Sequence, residues 1–598
     1  PLIAAPIVAY AAVTEHEGRM RLLALMVAFV AAMLLLVTAA DFLTLLIAWE
    51  LVGAASWALI GHSWRDPENP RAAAEAFVTT RIGDLGLYLA AGITFAESGS
   101  LAFTALDGIE SPALGLVAAG VLIAAAAKSA QLPFSPWLFA AMAGPAPVSA
   151  LLHSATLVAA GAYLLVRLAP ALEPVGWFLP TVTVVGLTTA IAGGVVASTQ
   201  MHVKRVLAGS TSAQYGLMFI AVGASSVAAG GAHLVAHAAL KSLLFLGAGV
   251  AVHAVGRSEL REMRLGRALP AVASLSAVGA LALAAVPPLG AAWTKEQVVA
   301  AAVHASPWLA IGVFAAALLS AFYAARYQWL VFGPREVTSL SSDREPGDDD
   351  APRSQSVHPV ALTSLGLLAA TTLLLSVLWW PGAGALLDDL VGGELLPGQW
   401  WELAVALGVI GSAFGLVWGL WQRRRLETLG MPPRMQALIG DWLGLPTVTR
   451  LLIVRPTVAL SHLAAGADDR VIDAGIRAVA AGARSVSRLL GRFDDRVVDA
   501  GVRTVAAGAR VLARLSFRHG EWTFDGMVRA ATAATLRIAT TSRATDDRGI
   551  DAAVEQATRG VGAAAAQSRR LQTGMAHHYY VIAGAGLAMI VAILAVFR

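Results

Sequence analysis

Long apolar runs alternate with short polar loops as far as Arg425, and beyond it the rhythm changes. An α-helix needs about 20 apolar residues to cross the hydrocarbon core of a bilayer. On that measure the pattern predicts about fourteen spans. They lie near 1–13 (partial), 21–40, 42–61, 76–95, 113–131, 145–168, 174–198, 204–226, 228–255, 268–305, 307–332, 357–381, 400–422 and 579–597. The fold class is an all-α polytopic membrane protein. Two runs are interrupted, 113–142 by Pro133 and Pro136, and 268–305 by Pro287, Pro288 and Gly290. Proline removes a backbone donor and clashes with the preceding turn, so both read as discontinuous helices. They fall at corresponding places in two five-helix blocks, 21–168 and 174–332, which read as inverted repeats. Paired interruptions of this kind point to a transport site. The plainer alternative is a pair of kinked helices that only pack.

A partial N-terminal helix and loop (1–20) precede the blocks, and two further spans (357–422) follow. The region 423–576 reads instead as a long amphipathic helix, and 577–598 as a C-terminal anchor. Within that region "DDRVIDAGIRAVAAGARSVSRLLGRF" from 468 recurs as "DDRVVDAGVRTVAAGARVLARLSFRH" from 494. A degraded copy starts at 520 and a fourth at 546, so the period is 26 residues. Asp473, Asp499, Asp525 and Asp551 share the sixth position. Arg477, Arg503 and Arg529 share the tenth, where the fourth copy has Glu555. Regular copies imply stacked, equivalent contacts. Val471, Ile476, Val479, Val486, Leu490 and Phe493 form one apolar stripe, which suits a helix lying along a surface. Twenty-six residues at about 100° each overshoot seven turns by about 80°. The helix is expected to wind slowly or to break if the stripe is to keep one heading.

Composition agrees with a membrane location. Of the 598 residues 57% are hydrophobic and 14% charged, against roughly 25% charged in soluble domains. Cysteine is absent, which removes disulfides, thiolate chemistry and cysteine-held iron–sulfur clusters from this chain. The net charge of +4 is small and spread over loops, so nucleic acid is not an expected partner. One set of alternate loops carries Arg19, Arg21, Arg65, Arg71, Lys204, Arg205, Arg257, Arg261, Arg264, Arg267, Arg326 and Arg423 to Arg425. The other set carries Asp107, Glu110, Glu173, Asp388, Asp389 and Glu394, with Arg167 nearly alone among cations. The positive-inside rule places the first set, and with it the amphipathic helix, on the cytoplasmic side. No signal peptide is legible, and the chain begins at Pro1 without a methionine, so further N-terminal residues are expected.

The candidate chemistry lies inside the apolar spans. Glu50 sits in "LIAWELVGAASWALIG". Arg81 and Asp84 share a helix face in "TTRIGDLGLYLA". Lys128 stands just before the first interruption, His153 lies in "PVSALLHSATLVAAGAYL", and Lys295 and Glu296 follow the second interruption. His233, His237 and Lys241 recur every four residues and so line one face, turning about 40° per step. A charge at mid-bilayer costs roughly 2.5–3.5 kcal/mol on insertion scales. Any one of these groups could be satisfied locally, and Arg81–Asp84 could be a plain ion pair. Three lysines, three histidines and three carboxylates together point to proton transfer. Two unit charges about 4 Å apart interact by roughly 4 kcal/mol at an effective dielectric of 20, and by under 2 kcal/mol at about 10 Å. Separating a carboxylate from a buried lysine would change its proton affinity by about two pKa units. The histidine pair shares no face with a carboxylate, and Lys241 would repel a cation, so no metal site is expected.

"WELVGAASWALIG", "FVTTRIGDLG", "KSAQLPFSPWLFAAMAGPAPVSALLHSAT", "VKRVLAGSTSAQYGLMF", "AHLVAHAALKSLLFL" and "RRLQTGMAHHYY" closely resemble subunit L of bacterial complex I, the proton-translocating NADH:quinone oxidoreductase. The likeness covers about 15–455 and 546–598. It implies an antiporter-like subunit at the distal end of the membrane arm, in the bacterial inner membrane. It implies Glu50 and Lys128 as an input pair, with His153, His233, His237 and Lys241 as a central relay. Lys295 with Glu296 would form the output site. The amphipathic region resembles the lateral helix that ties neighbouring antiporter-like subunits together. NADH, FMN, iron–sulfur clusters and quinone would belong to partner subunits, with no cofactor in this chain. Three features depart from the pattern: about two N-terminal helices of it are absent, Glu296 stands where aspartate is common, and three lateral copies are additional. The same transport motifs fit the large subunit of a multisubunit Na⁺/H⁺ antiporter, or an inorganic-carbon uptake subunit. A scaffold with an inactive channel would need the lateral helix but not the ionisable set.

Overall fold

A computed structural model describes residues 1–334, 357–380, 382–383, 395–396, 398–518, 522–545, 556 and 559–560. The predicted anchor 577–598, nearly all of the fourth copy, and Asp388, Asp389 and Glu394 lie outside the described residues. The chain divides into two units, Pro1–Pro456 and Thr457–Arg598.

The first unit is a helical bundle. Its helices are α1 (Ala4–Thr14), α2 (Arg19–Thr38), α3 (Phe42–Ile60), α4 (Glu68–Ser98), α5 (Ala113–Lys128), α6 (Trp137–Ala140), α7 (Ala146–Ser154), α8 (Leu157–Leu172) and α9 (Phe178–Thr199). They continue as α10 (Val203–Gly223), α11 (Val227–Val255), α12 (Pro270–Leu283), α13 (Gly290–Ala305), α14 (Pro307–Phe332), α15 (Pro359–Leu374) and α16 (Trp400–Gln422). Among the described residues ten helices are long and apolar enough to cross a membrane, nine of them in this bundle and the tenth the 74-residue helix Trp442–Leu515. Three more, α1, α5 and α12, are apolar but shorter, and of these α5 and α12 are the helices cut by the predicted interruptions. This is a multi-pass, all-helical membrane protein. The centre is formed by α10 and α11, whose apolar windows are 94% and 89% buried, so they carry the residues most shielded from lipid. Small residues allow the closest crossings. A Cβ on Gly120 of α5 would lie 2.2 Å from the Gly86 carbonyl of α4. One on Gly216 of α10 would lie 2.6 Å from that of Gly186 in α9.

Both predicted interruptions are present, and they stop their helices in the same way. At the end of α5, Ala130 takes φ 50°. Its N–H donates to the Ala127 carbonyl (3.3 Å), and the next N–H, of Gln131, reaches back to Ala126 (2.8 Å). At the end of α12, Ala285 takes φ 63°. Its N–H donates to Ala282 (3.0 Å), and that of Val286 to Leu281 (3.0 Å). This is the Schellman stop, with alanine where glycine is usual, at a cost of about 1–2 kcal/mol for the left-handed residue.

A further interruption was not foreseen. The span predicted over 145–168 breaks between α7 and α8, where Ala155 (φ −134°, ψ 0°) and Thr156 (φ −131°, ψ −97°) leave the helix. Neither proline nor glycine marks it. The Thr156 hydroxyl instead turns back to the Leu151 carbonyl (2.5 Å), the local competition that lets hydroxyl residues unseat a helix. Arg326 also differs from expectation. It is not a solvated loop cation but lies buried in α14, donating to the carbonyls of Gln200 (2.8 Å), Leu426 (3.0 Å) and Glu427 (3.1 Å).

The second unit contains helices Asp473–Phe493, Asp499–Arg518 and Trp522–Thr545. Asp468–Ile472 and Asp494–Val498, the "DDRV" openings of the first two copies, are turns of π-helix. A π turn takes in one residue more than an α turn, about 100° of rotation. It therefore reduces the 80° misfit of each 26-residue copy to about 20°. Over 468–518 the helix carries on through both turns without a break, and they take up part of the mismatch locally. The stripe residues Val471, Ile476, Val479, Val486, Leu490 and Phe493 are all exposed, as are Val497, Val502, Val505 and Leu512 of the next copy. Arg477–Asp473 (3.7 Å) and Arg503–Asp499 (3.1 Å) pair at the same repeat positions.

Candidate functional site

The first break sets out an ion pair. Lys128 is the last residue of α5 and fully buried, and its Nζ lies 3.2 Å from Oδ2 of Asp84 on α4. Asp84 Oδ1 accepts from Trp49 Nε1 at 2.6 Å, which fixes the carboxylate between an indole and an ammonium. The Trp49 ring also faces Lys128 Nζ, with 5.5 Å to its centroid. Gly53 leaves the room: a Cβ there would lie 3.2 Å from that nitrogen. The expected Glu50–Lys128 pairing is not the one observed. Glu50, one residue after Trp49, pairs with Arg81 and accepts from the Tyr88 hydroxyl (2.9 Å). This second cluster is partly exposed, with Glu50 side-chain exposure of 20% and Arg81 of 34%. Arg81 and Asp84 share a face of α4, but each finds its partner on another helix.

The middle of the bundle holds the histidines. His153 on α7 lies between Trp137 (centroids 6.3 Å) and Phe245 (5.9 Å). His237 on α11 meets the Tyr215 ring edge-on at 5.0 Å. Among the described residues no hydrogen-bond partner reaches either ring nitrogen of His153, whereas the His237 ring lies against the Ser154 backbone. Ser242 Oγ of α11 donates to Ser154 Oγ (2.7 Å), and Tyr215 donates to the Ser154 carbonyl freed by the α7–α8 break (3.2 Å). Lys241 is fully buried, and its Nζ donates to the Leu207 carbonyl (2.8 Å) and to the Ser210 hydroxyl. Its partners are neutral, unlike those of Lys128.

The second break sets out a line of hydrogen bonds. His233 contacts Thr294 Oγ1 of α13 through Nδ1 (2.9 Å) and Gln214 Oε1 of α10 through Nε2 (3.0 Å). Gln214 Nε2 donates to Ser320 Oγ (3.1 Å) and to the Tyr323 hydroxyl (2.6 Å), both on α14. Lys295 Nζ donates to the same Ser320 hydroxyl (2.6 Å) and to the Leu283 carbonyl at the end of α12 (2.7 Å). An unbroken line of hydrogen bonds thus joins His233 to Lys295. Glu296, the next residue, lines a cavity of about 40 Å³ together with Lys295 and Glu402. Among the described residues no such line runs from Lys128 to the histidines, and Trp137, whose Nε1 donates to the Ala127 carbonyl (2.9 Å), stands between.

Sequence reading did not single out Trp49, Gln214, Ser320, Tyr323 or Glu402. Gln214, within "STSAQYGL", is the one with a signal, an amide in the helix most enclosed by others. Among the described residues no three histidine, aspartate or glutamate side chains converge as a metal site.

Residues 39–320, from α3 into α14, match the family model described as "NADH:quinone oxidoreductase/Mrp antiporter, TM". NAD(P)H-quinone oxidoreductase chain 5 of Synechocystis sp. is 34% identical over 421 residues, 62% of this chain and 61% of that one. The chloroplastic NAD(P)H-quinone oxidoreductase subunit 5 of Zea mays is 37% identical over 339 residues, covering 53% of this chain and 46% of the relative. This chain therefore spans about half to three fifths of the length of the curated relatives it matches. A solved structure, that of the Mrp complex from Dietzia sp. DQ12-45-1b, superposes with a TM-score of 0.63 at 27% identity. The match covers 86% of this chain and 54% of that one.

Proposed function

We propose that this chain is the antiporter-like, proton-translocating subunit, similar to subunit L, of a bacterial NADH:quinone oxidoreductase. Protons would move from the cytoplasm outward through the buried Lys, His and Glu residues. Redox cofactors would reside in partner subunits. The observation that carries the reading is the enclosed line His233–Gln214–Ser320–Lys295, continued along one face of α11 by His237 and Lys241. Costly ionisable groups held in sequence between two identically stopped helices suit transport better than packing. The input lysine, Lys128, would cycle as its distance from Asp84 changes, with Glu50 and Arg81 as the outer pair that couples to a neighbour. The matching stops support two inverted repeats. In the assembled complex reconstituted in liposomes, Lys128→Met should abolish most redox-driven proton movement while assembly persists. Unchanged pumping would remove the assignment.

The exposed, in-phase stripe supports a lateral helix clamping neighbouring antiporter-like subunits. One copy is about 39 Å of helix, roughly one such subunit, so the added copies suit an arm with at least one extra neighbour. Deleting 468–493 should lower the number of antiporter-like subunits that co-purify; an unchanged set would defeat the clamp. A second reading, a multisubunit Na⁺/H⁺ antiporter, is favoured by the 86% coverage against the Mrp complex. Co-purification without redox subunits would decide for it.

A further inference from the structure

Glu402 opens α16 in "QWWELAV", where a glutamate three residues after the cap reads as a routine capping box. The box is present: Gln399 caps the helix, and Glu402 Oε2 accepts from the Gln399 N–H at 3.2 Å. Capping requires only one oxygen and no burial, because this position ordinarily faces water. Glu402 is 1% exposed, and its Oε1 has no hydrogen-bond partner among the described residues. A buried carboxylate oxygen left without a partner is costly and calls for a role. It lines the cavity at the second break, with Lys295, Glu296, Ala284, Ala285 and Pro287. At about 40 Å³ the cavity can hold a bridging water. The other contacts of Lys295 are neutral, Ser320 Oγ and the Leu283 carbonyl. Glu296 and Glu402 are the carboxylates that line the same cavity as Lys295. The Trp400 end of α16 follows the acidic stretch 388–394, the side that loop charge places outside the membrane.

We propose that Glu402 is the acceptor through which protons leave Lys295 toward the outer face. An N–H bond of the lysine ammonium breaks, and its proton passes through water in the cavity to Glu402 Oε1. A neutral amine and a neutral carboxylic acid remain. The acid then releases the proton past half-buried Glu296 to outside water, and Lys295 regains one from the His233 side. Charge balances at each step. This rests on the proton-translocating reading above.

The test uses the assembled complex in liposomes. Glu402→Gln keeps an oxygen for the cap and loses the titratable group. It should cut driven proton movement at least about a hundredfold, the low end for a lost acid–base group, with assembly and thermal unfolding unchanged. Glu402→Asp should pump and should shift the pH profile, which a role confined to capping would not do. Infrared difference spectra of the working complex should contain a protonated-carboxyl band that moves in Glu402→Asp. That band decides the matter even where the glutamine variant assembles poorly. Normal pumping by Glu402→Gln, or no band sensitive to position 402, overturns the proposal. If Lys128→Met still abolishes pumping, only the exit assignment has failed. If neither variant impairs pumping, the transport reading itself has failed.

Discussion

The two broken helices share one backbone device and surround it with opposite chemistry. Each stops on a left-handed alanine with the same pair of back-reaching hydrogen bonds. At the first, the lysine is the last residue before the stop and is held in an ion pair with Asp84 at 3.2 Å. At the second, the equivalent position is Leu283, whose carbonyl accepts from Lys295 of the following helix. The identical stops release carbonyl groups inside the bundle; the sequence around each then decides whether a lysine meets a carboxylate or only neutral acceptors. A paired lysine holds its proton until its partner moves. A lysine among neutral acceptors passes its proton on more readily. On the proposed reading, this difference is what would give the pair of sites a direction.

Removing the charged partner should therefore hurt more than removing a neutral one. Asp84→Asn leaves Lys128 buried without a counter-ion, a change that costs about 3–5 kcal/mol in comparable pairs. Driven proton movement should fall at least about tenfold, since about 1.4 kcal/mol already corresponds to that factor. Ser320→Ala leaves Lys295 its Leu283 carbonyl, and a loss of about three- to tenfold is expected for one hydrogen bond. Equal losses in the two variants, measured in the same liposome assay, would erase the contrast.

Gly53→Ala sharpens the first site alone. Its methyl would stand 3.2 Å from Lys128 Nζ, so the lysine must shift by a few tenths of an ångström. A loss of roughly threefold is expected from crowding of this kind. Gly366, with no neighbour near its would-be methyl, is the control, and Gly366→Ala should pump normally.

The smallest effect lies outside the spans. His202, which precedes α10, is held down from its ordinary 6.5 to about 4, first by burial and then by Lys204 and Arg205. In the unfolded chain it titrates near 6.5. Unfolding therefore takes up a proton between those two values, and stability falls as pH drops through that window. A modest acid-side fall in melting temperature should be reduced in His202→Gln; an unaltered acid limb would contradict the assignment.

Much of this was legible in sequence because local chemistry dictated it. Pro133, Pro136, Pro287 and Pro288 announced the two interruptions, and the four-residue spacing of His233, His237 and Lys241 announced a shared face. The α7–α8 break was hidden because hydroxyl back-bonding at Thr156, not proline, makes it. The partners of Glu50 and Asp84 were hidden because Arg81 and Lys128 reach them across helices, and pairing across a bundle has no signature along the chain. Glu402 was hidden by its resemblance to a helix cap. In the lateral copies the 26-residue period and its misfit were plain, but nothing in "DDRV" says that a π turn will absorb it.

The central claim is that the buried ionisable groups form one hydrated proton path. A high-resolution density map of the assembled complex tests it most directly, at the two ring nitrogens of His153, which lack partners among the described residues, and at the neighbouring His237. The account predicts ordered water within hydrogen-bonding distance of each residue, continuing to Lys128 on one side and Lys241 on the other. Dry imidazoles enclosed only by apolar side chains would contradict it.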